Sequence, residues 1–373
     1  MSEFAALNHE LVNILGDKCV VTDESERRLY SQDVFSEAEY VTKAIIQPAN
    51  IAELSQAIKA TTKFGYAVFP RGGGMSYTSG YLPSRNKSIS LDMLKMNNIV
   101  ELSLDDMFIT VEAGCTWAQV HEALKGKGVR TPFWGTLSGL RATVGGGVSQ
   151  NSLFFGTGIY GSAAESVIGL EVVAADGEVV RTGSASIKGG TPFSRYHGPD
   201  LTGVFLGDNG ALGIKATITL KLISSPKYRE FGSFSFDSYE NMLPVMSEIS
   251  RRGLASESFG FDPYLQEQRM KRESLATDIK SLTGVLKASD GVLDALKKGT
   301  KLAVAGRGYM KNVLYSFHAT SENKSKEVAK SDMAEIREIT LQAGGKEIEN
   351  SIPKLVNSNP FLPLNNMIGP EGE

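Results

Sequence analysis

The run Phe69-Pro70-Arg71-Gly72-Gly73-Gly74-Met75-Ser76-Tyr77-Thr78-Ser79-Gly80 holds the residue types best suited to gripping a charged ligand. It follows an apolar, strand-like stretch, Tyr66-Ala67-Val68-Phe69, and leads into loop chemistry. Consecutive glycines adopt positive φ without steric cost and let the backbone approach a ligand closely. Successive bare N–H groups in such a turn make a concave anion site, suited to a phosphate or pyrophosphate. Alone, the run reads equally as a glycine-rich surface loop. A second cluster, Ala142-Thr143-Val144-Gly145-Gly146-Gly147-Val148-Ser149-Gln150-Asn151, shifts that balance. Two clusters, each beside a strand-forming segment, suggest one extended ligand held from two sides.

A chain of 373 residues, 41% hydrophobic and with a formal net charge of −3, reads as soluble and globular, in two domains or one large composite. The near-balance of charge argues against nucleic acid as the main partner. Cys19 and Cys115 are too few for a disulfide framework or a cysteine zinc site, and no metal site is expected. No apolar run approaches the ~20 residues needed to span a bilayer. The N-terminus lacks the basic and apolar regions of a signal peptide. A cytoplasmic location is the default reading, with peripheral membrane attachment left open.

The elements that must carry the two clusters follow from periodicity. Phe4, Leu7, Leu11, Ile14 and Leu15 form a helical stripe over residues 3–15, stopped by Gly16. Residues 17–40 are mixed and polar, so 1–40 is taken as an N-terminal helical segment. Residues 41–47 read as a strand, Pro48-Ala49-Asn50 as turn and N-cap, and 51–64 as a helix closed by Gly65. With strand 66–69, a β-α-β unit delivers the first glycine loop. Strands are expected over 88–91, 98–103 and 108–113, and a short helix over 117–125. Gly156-Thr157-Gly158-Ile159-Tyr160-Gly161 matches G-x-G-x-x-G, yet no strand precedes it and no long helix follows, so a Rossmann NAD site is rejected. A hairpin over 168–181 and a strand over 216–222 complete this part. Beyond Pro226 a strand-helix-strand pattern occurs twice, as in a ferredoxin-like layer. It is interrupted over 264–301 by a charged helical insertion, richer in Lys and Arg than in Asp and Glu. That insertion reads as a solvated hairpin, with docking to a partner or an anionic membrane as the alternative. After Ile352 no regular period is seen and the chain ends loop-like, as a truncated end would.

Taken together, Pro70-Arg71-Gly72-Gly73-Gly74, the cluster over 143–147, the block Gly169-Leu170-Glu171-Val172-Val173-Ala174-Ala175-Asp176-Gly177-Glu178-Val179 and the block from Asp200 to Ile214 resemble the PCMH-type (vanillyl-alcohol oxidase and p-cresol methylhydroxylase) superfamily of FAD enzymes. The nearest branch is that of D-lactate dehydrogenase and the glycolate oxidase flavin subunit. The resemblance implies an α+β fold: an FAD-binding domain over 41–225 in two subdomains, 41–104 and 105–225, and a ferredoxin-like cap over 226–373, apparently incomplete. It implies that residues 71–77 bind the pyrophosphate through their amides. Thr143, Gly145, Gly146 and Ser149 would line the flavin and its phosphate side. Gly158, Gly161 and Ser162 would close over the ribityl region, and Ile168 and Ile214 would hold the adenine. Many members carry a histidine, covalently joined to the flavin, where this chain has Met75. A thioether cannot form that bond, so FAD is expected to be bound non-covalently.

For substrate chemistry the candidates are His197, on a loop, His318, at the end of a cap strand, and Arg141 and Arg195, whose guanidinium groups could grip a carboxylate. Each has a plainer reading, as loop structure or a surface ion pair. His121 reads as a surface or packing residue. The resemblance implies oxidation of a small hydroxy acid by hydride transfer to flavin N5, the cofactor carrying the chemistry. Oxidation of a para-substituted phenol and a flavin-binding subunit without a complete active site stand as alternatives. The partner is a small-molecule substrate; the electron acceptor is left open, as are a homo-oligomer and a second subunit.

Overall fold

A computed structural model describes residues 2–266 and 313–361. The insertion read over 264–301 lies outside the described residues from Glu267 onward, as does the terminal run after Phe361.

Helix α1 (Glu3–Leu15) starts at Ser2, whose hydroxyl accepts the Ala5 amide, and buries Leu7, Leu11 and Leu15. Residues 17–40 are more ordered than their polarity suggests. They supply β1 (Val20–Val21) and α2 (Glu24–Tyr30), the latter capped by Asp23. Next come β2 (Ile45–Ile46), α3 (Ile51–Lys63) with Asn50 accepting the Glu53 amide, β3 (Ala67–Arg71) and β4 (Ser88–Asp92). The sheet order is β1-β2-β4-β3, with β4 parallel to both β2 and β3. The β-α-β unit therefore skips one place, and the fully buried β4 fills the gap.

The second sheet contains β5 (Ile99–Ser103) and β6 (Phe108–Glu112), followed by α4 (Trp117–Leu124), β7 (Val129–Arg130), α5 (Val144–Ser149) and α6 (Thr157–Tyr160). It is completed by β8 (Val167–Val173), β9 (Val179–Arg181) and, after α7 (Leu201–Val204), β10 (Ile214–Lys221). The order β5-β6-β10-β8-β9 is antiparallel throughout. Because β5 hairpins onto β6, Ile99–Ser103 join the second sheet, whereas the division implied by the resemblance at 104/105 grouped them with the first. One apolar core joins both sheets, from Leu7 through Trp117 and Phe133 to Leu222. After β11 (Ile223–Ser224), which pairs with β7, the chain enters the cap.

The cap comprises β12 (Tyr228–Phe236), α8 (Tyr239–Arg252), β13 (Glu257–Phe261), β14 (Tyr315–Asn323), α9 (Lys326–Gln342), β15 (Lys346–Glu347) and α10 (Ser351–Ser358). Its antiparallel order, β13-β14-β12-β15, is that of a ferredoxin-like sheet, and its core of Phe234, Phe236, Phe317 and Met333 is separate from the first. Two expectations are corrected here. His318 lies in the middle of β14, not at a strand end. The run after Ile352 contains a helix, α10, with Pro353 in its first turn, where a missing N–H costs little.

Candidate functional site

The two glycine clusters meet, and their contact explains their composition. A β-carbon on Gly72 would lie 2.2 Å from Thr143 Oγ1, and one on Gly73 would lie 1.7 Å from the Arg141 carbonyl oxygen. Only Gly74 of the three has a positive φ, of 70°. Glycine is thus required at Gly72 and Gly73 for close approach of the chain, not for turn conformation. The second cluster is helical over Val144–Ser149, a state the sequence reading did not assign. Thr143 caps α5 by accepting the Gly146 amide at 3.2 Å, and Gly147 lets the helix sit against the Trp117 indole.

Where the clusters meet lies a cavity of about 560 Å³, within the range of small-molecule and cofactor sites. Residues 71–77 form one wall and Thr143, Gly145, Gly146 and Ser149 another. Asn209, Gly210, Ile214 and Lys215 form a third. Lys215 is paired with Asp208, both almost fully buried, and burial pulls its ammonium below the usual lysine range while Asp208 opposes the shift. The amides of residues 72–77 donate to no protein group among the described residues. A half-buried row of free N–H groups at a glycine turn is a donor set for an anion.

A wall that sequence reasoning missed comes from the N-terminal segment. Asp33 accepts the Ser79 amide at 2.8 Å, the Val34 amide donates to the Ser76 carbonyl at 3.2 Å, and Val34 lines the cavity. Arg71 lies under the loop with its guanidinium 4.4 Å from the Tyr30 ring centroid and 5.3 Å from that of Tyr81. Tyr30 in turn donates to Asp92 at 2.7 Å, and burial, reinforced by that carboxylate, pushes its phenol well above the usual value. The sole sequence signal was an aspartate at a place able to make a local turn.

Residues 42–183 match the family model described as an FAD binding domain. The solved structure of p-cresol methylhydroxylase with substrate bound superposes with a TM-score of 0.72 at 18% identity, covering 93% of this chain and 66% of that one. Residues 42–183 thus form an FAD-binding domain, and the chain shares the fold of p-cresol methylhydroxylase. Among curated relatives, the glycolate oxidase subunit GlcD of Bacillus subtilis is 27% identical over 65% of this chain and 50% of its own. The mitochondrial D-lactate dehydrogenase [cytochrome] 1 of Saccharomyces cerevisiae is 29% identical over 57% of this chain and 35% of its own. The chain thus spans half or less of these relatives' length.

The cavity of this FAD-binding domain fits the cofactor, since its free amides supply donors for a pyrophosphate without a buried counter-ion. Among the cofactor positions read from the sequence, residues 71–77, Thr143, Gly145, Gly146, Ser149 and Ile214 line it together. Gly158, Gly161, Ser162 and Ile168 are not part of the lining. Gly158 is packed against the cap instead: its amide donates to the Ser256 carbonyl at 2.9 Å, and a β-carbon would lie 2.1 Å from the Ala255 oxygen. Ile168 lies within β8.

The substrate candidates are scattered. Arg195 is engaged by Asp200, at 2.8 Å from Nη2, and by the Ala164 carbonyl, so its fork is filled by protein groups of its own loop and of the turn before β8. His197 and Arg141 are exposed and outside the cavity lining. His318 is fully buried, with ring nitrogens 2.8 Å from Ser233 Oγ and 3.0 Å from Ser316 Oγ. Its ring packs 5.3 Å from that of Phe259, which lies 6.1 Å from Phe154 of the cavity wall. One aromatic ring therefore separates His318 from the cavity-lining Phe154. His121 is a packing residue, 5.7 Å from Trp134 and 5.5 Å from Phe361, and burial lowers its basicity.

The domains are joined by a buried ionic cluster with no counterpart in the sequence reading. Arg130 of β7 pairs with Glu322 of β14, and Arg229 of β12 reaches the same carboxylate at 3.3 Å. Glu257 lies beside them, hydrogen-bonded by Ser256 at 2.9 Å. Burial, reinforced by Glu322, raises its carboxyl to about 7. The Arg130 guanidinium also lies over the rings of Trp134 and Tyr160.

Proposed function

We propose that this chain is the flavin-carrying part of an oxidoreductase that oxidises a small 2-hydroxy acid of the D-lactate or glycolate type. The observation that carries the reading is the likeness to the glycolate oxidase subunit and to D-lactate dehydrogenase, together with the FAD binding domain match over residues 42–183, which includes both glycine clusters. Bound FAD would supply the acceptor for a hydride from substrate C2. The chain's own residues hold and orient. The amides of residues 72–77 take the pyrophosphate charge, and Thr143, Gly145, Gly146 and Ser149 hold the opposite side. Phe154 and Phe259 bring the cap against the cavity and exclude water there, and His318, one ring behind them, is the cap's candidate histidine. Since the Bacillus relative is itself a subunit, a second polypeptide is part of this reading.

Anaerobic titration tests it. The flavin bands of the holoprotein should bleach on addition of a D-2-hydroxy acid and remain unchanged with a 4-alkylphenol. Bleaching by the phenol alone would move the chain to the phenol-oxidising reading, and a flavin inert to both would leave only a binding role.

Met75 lines the cavity where a histidine would be needed for a covalent link. Acid precipitation is therefore expected to release the yellow colour into the supernatant. Flavin retained in the washed pellet would show attachment through another residue.

A further inference from the structure

We propose that residues 31–38 form a strap that pre-shapes the glycine loop for the cofactor, with Asp33 as its positioning residue. The strap is a small closed hairpin. The Ala38 amide donates to the Ser31 carbonyl at 2.8 Å, the Asp33 amide to the Ser36 carbonyl at 2.9 Å, and Gln32 and Glu37 form a bridge. The two Asp33 oxygens divide their work. Oδ1 accepts the Phe35 amide at 2.8 Å and the Ser36 amide at 2.6 Å, which closes the hairpin tip. Oδ2 accepts the Ser79 amide at 2.8 Å, across 46 residues of sequence.

The bond to Ser79 falls where the loop most needs help. Ser79 has a φ of 58°, in the left-handed region that a serine seldom adopts. A hydrogen bond to a carboxylate is about twice as strong as one between neutral groups, enough to offset that strain. The Val34–Ser76 bond fixes a second point on the loop. A third tie runs from Thr78 Oγ1 to Gln150 Oε1, at 2.9 Å, just beyond α5. With the loop fixed at Ser76, Thr78 and Ser79, the amides of residues 72–77 stay unpaired and available before any ligand arrives. Ordering a donor set in advance removes an entropic cost from binding, so the strap should set flavin affinity, not chemistry.

The inference rests on the cofactor assignment, and its test has an arm that needs no flavin. Asp33→Asn is the selective variant. Its one remaining carbonyl oxygen can still close the hairpin, while its amide group presents a donor to the Ser79 N–H. Titration of the apoprotein with FAD, followed by flavin fluorescence, should show a Kd about tenfold or more above wild type. The thermal midpoint of the apoprotein should stay within a few degrees. Phe35→Ala, at the exposed tip, should leave Kd within about twofold. In the second arm, limited proteolysis of flavin-free Asp33→Asn should cut within residues 72–80 faster than wild type. Wild-type affinity in Asp33→Asn would overturn the proposal, as would equal cutting rates, whatever the flavin reading's fate.

Discussion

Gly73→Val is expected to yield a folded chain that retains no flavin. The first β-carbon would fall 1.7 Å from the Arg141 carbonyl oxygen, a backbone atom that cannot rotate away. The two glycine segments must therefore part, and the Gly72–Thr143 contact beside them opens as well. The disturbance sits between surface segments at a cavity wall, so the folding penalty should resemble ordinary overpacking, about 1–3 kcal/mol. A domain of typical stability, about 5–15 kcal/mol, survives that. The cofactor does not. Hydrogen bonds to a charged group contribute about 1.5–3 kcal/mol each. Misaligning two amides would then weaken FAD binding by a hundredfold or more, at about 1.4 kcal/mol per tenfold. The ratio of flavin to protein absorbance after purification, with an unfolding curve of the same sample, measures both effects. A flavin ratio equal to wild type would show that the loop is not the cradle.

Glu322→Ala is expected to cost about 3–5 kcal/mol of stability, the range for breaking a buried ion pair from one side. Glu322 is the only carboxylate paired with both Arg130 and Arg229 among the described residues. Its removal strands the buried Arg130 guanidinium, two of whose nitrogens, Nε and Nη1, already have no partner among the described residues. Glu257, whose carboxyl burial alone still holds above the usual range once Glu322 is gone, can compensate only in part. Since the cluster spans both domains, the cap should loosen first. The urea midpoint followed by far-UV circular dichroism reports the loss. A shift worth less than about 1 kcal/mol would mean that the cluster is solvated and weak, as surface pairs are.

What the sequence disclosed, and what it withheld, divides along the range of the interactions. The first glycine loop was legible because its strand, helix and N-cap are neighbours: Asn50 finds Glu53 three residues away. The ferredoxin-like cap was legible for the same reason, each helix lying between the strands it covers. The helical state of the second cluster was hidden because three glycines argue against a helix on propensity. Thr143 and the Trp117 ring overrule that locally weak preference. The resemblance placed Gly158 and Ser162 over the ribityl and pyrophosphate region, but the chain at Gly158 turns toward the cap, 98 residues further on at Ser256. The strap and the ionic cluster were invisible for a stricter reason. Asp33, Arg130, Arg229, Glu257 and Glu322 acquire their partners only when distant elements are brought together.

Phe361 gives the cap a second moorage. The chain leaves the first domain after β11, builds the cap, and returns with this ring set against Gly135 and Gly139 and 6.4 Å from both Trp134 and Phe155. A lobe tethered at one end can swing like a door; one tethered at both ends can only rock. Lifting the cap would withdraw the ring from its aromatic socket, at about 1.5 kcal/mol for a partly buried phenylalanine. That alone keeps a lifted population below roughly one molecule in ten, before the Arg130–Glu322 pair is counted. A ligand that required the lifted state would have its apparent affinity reduced by the same fraction.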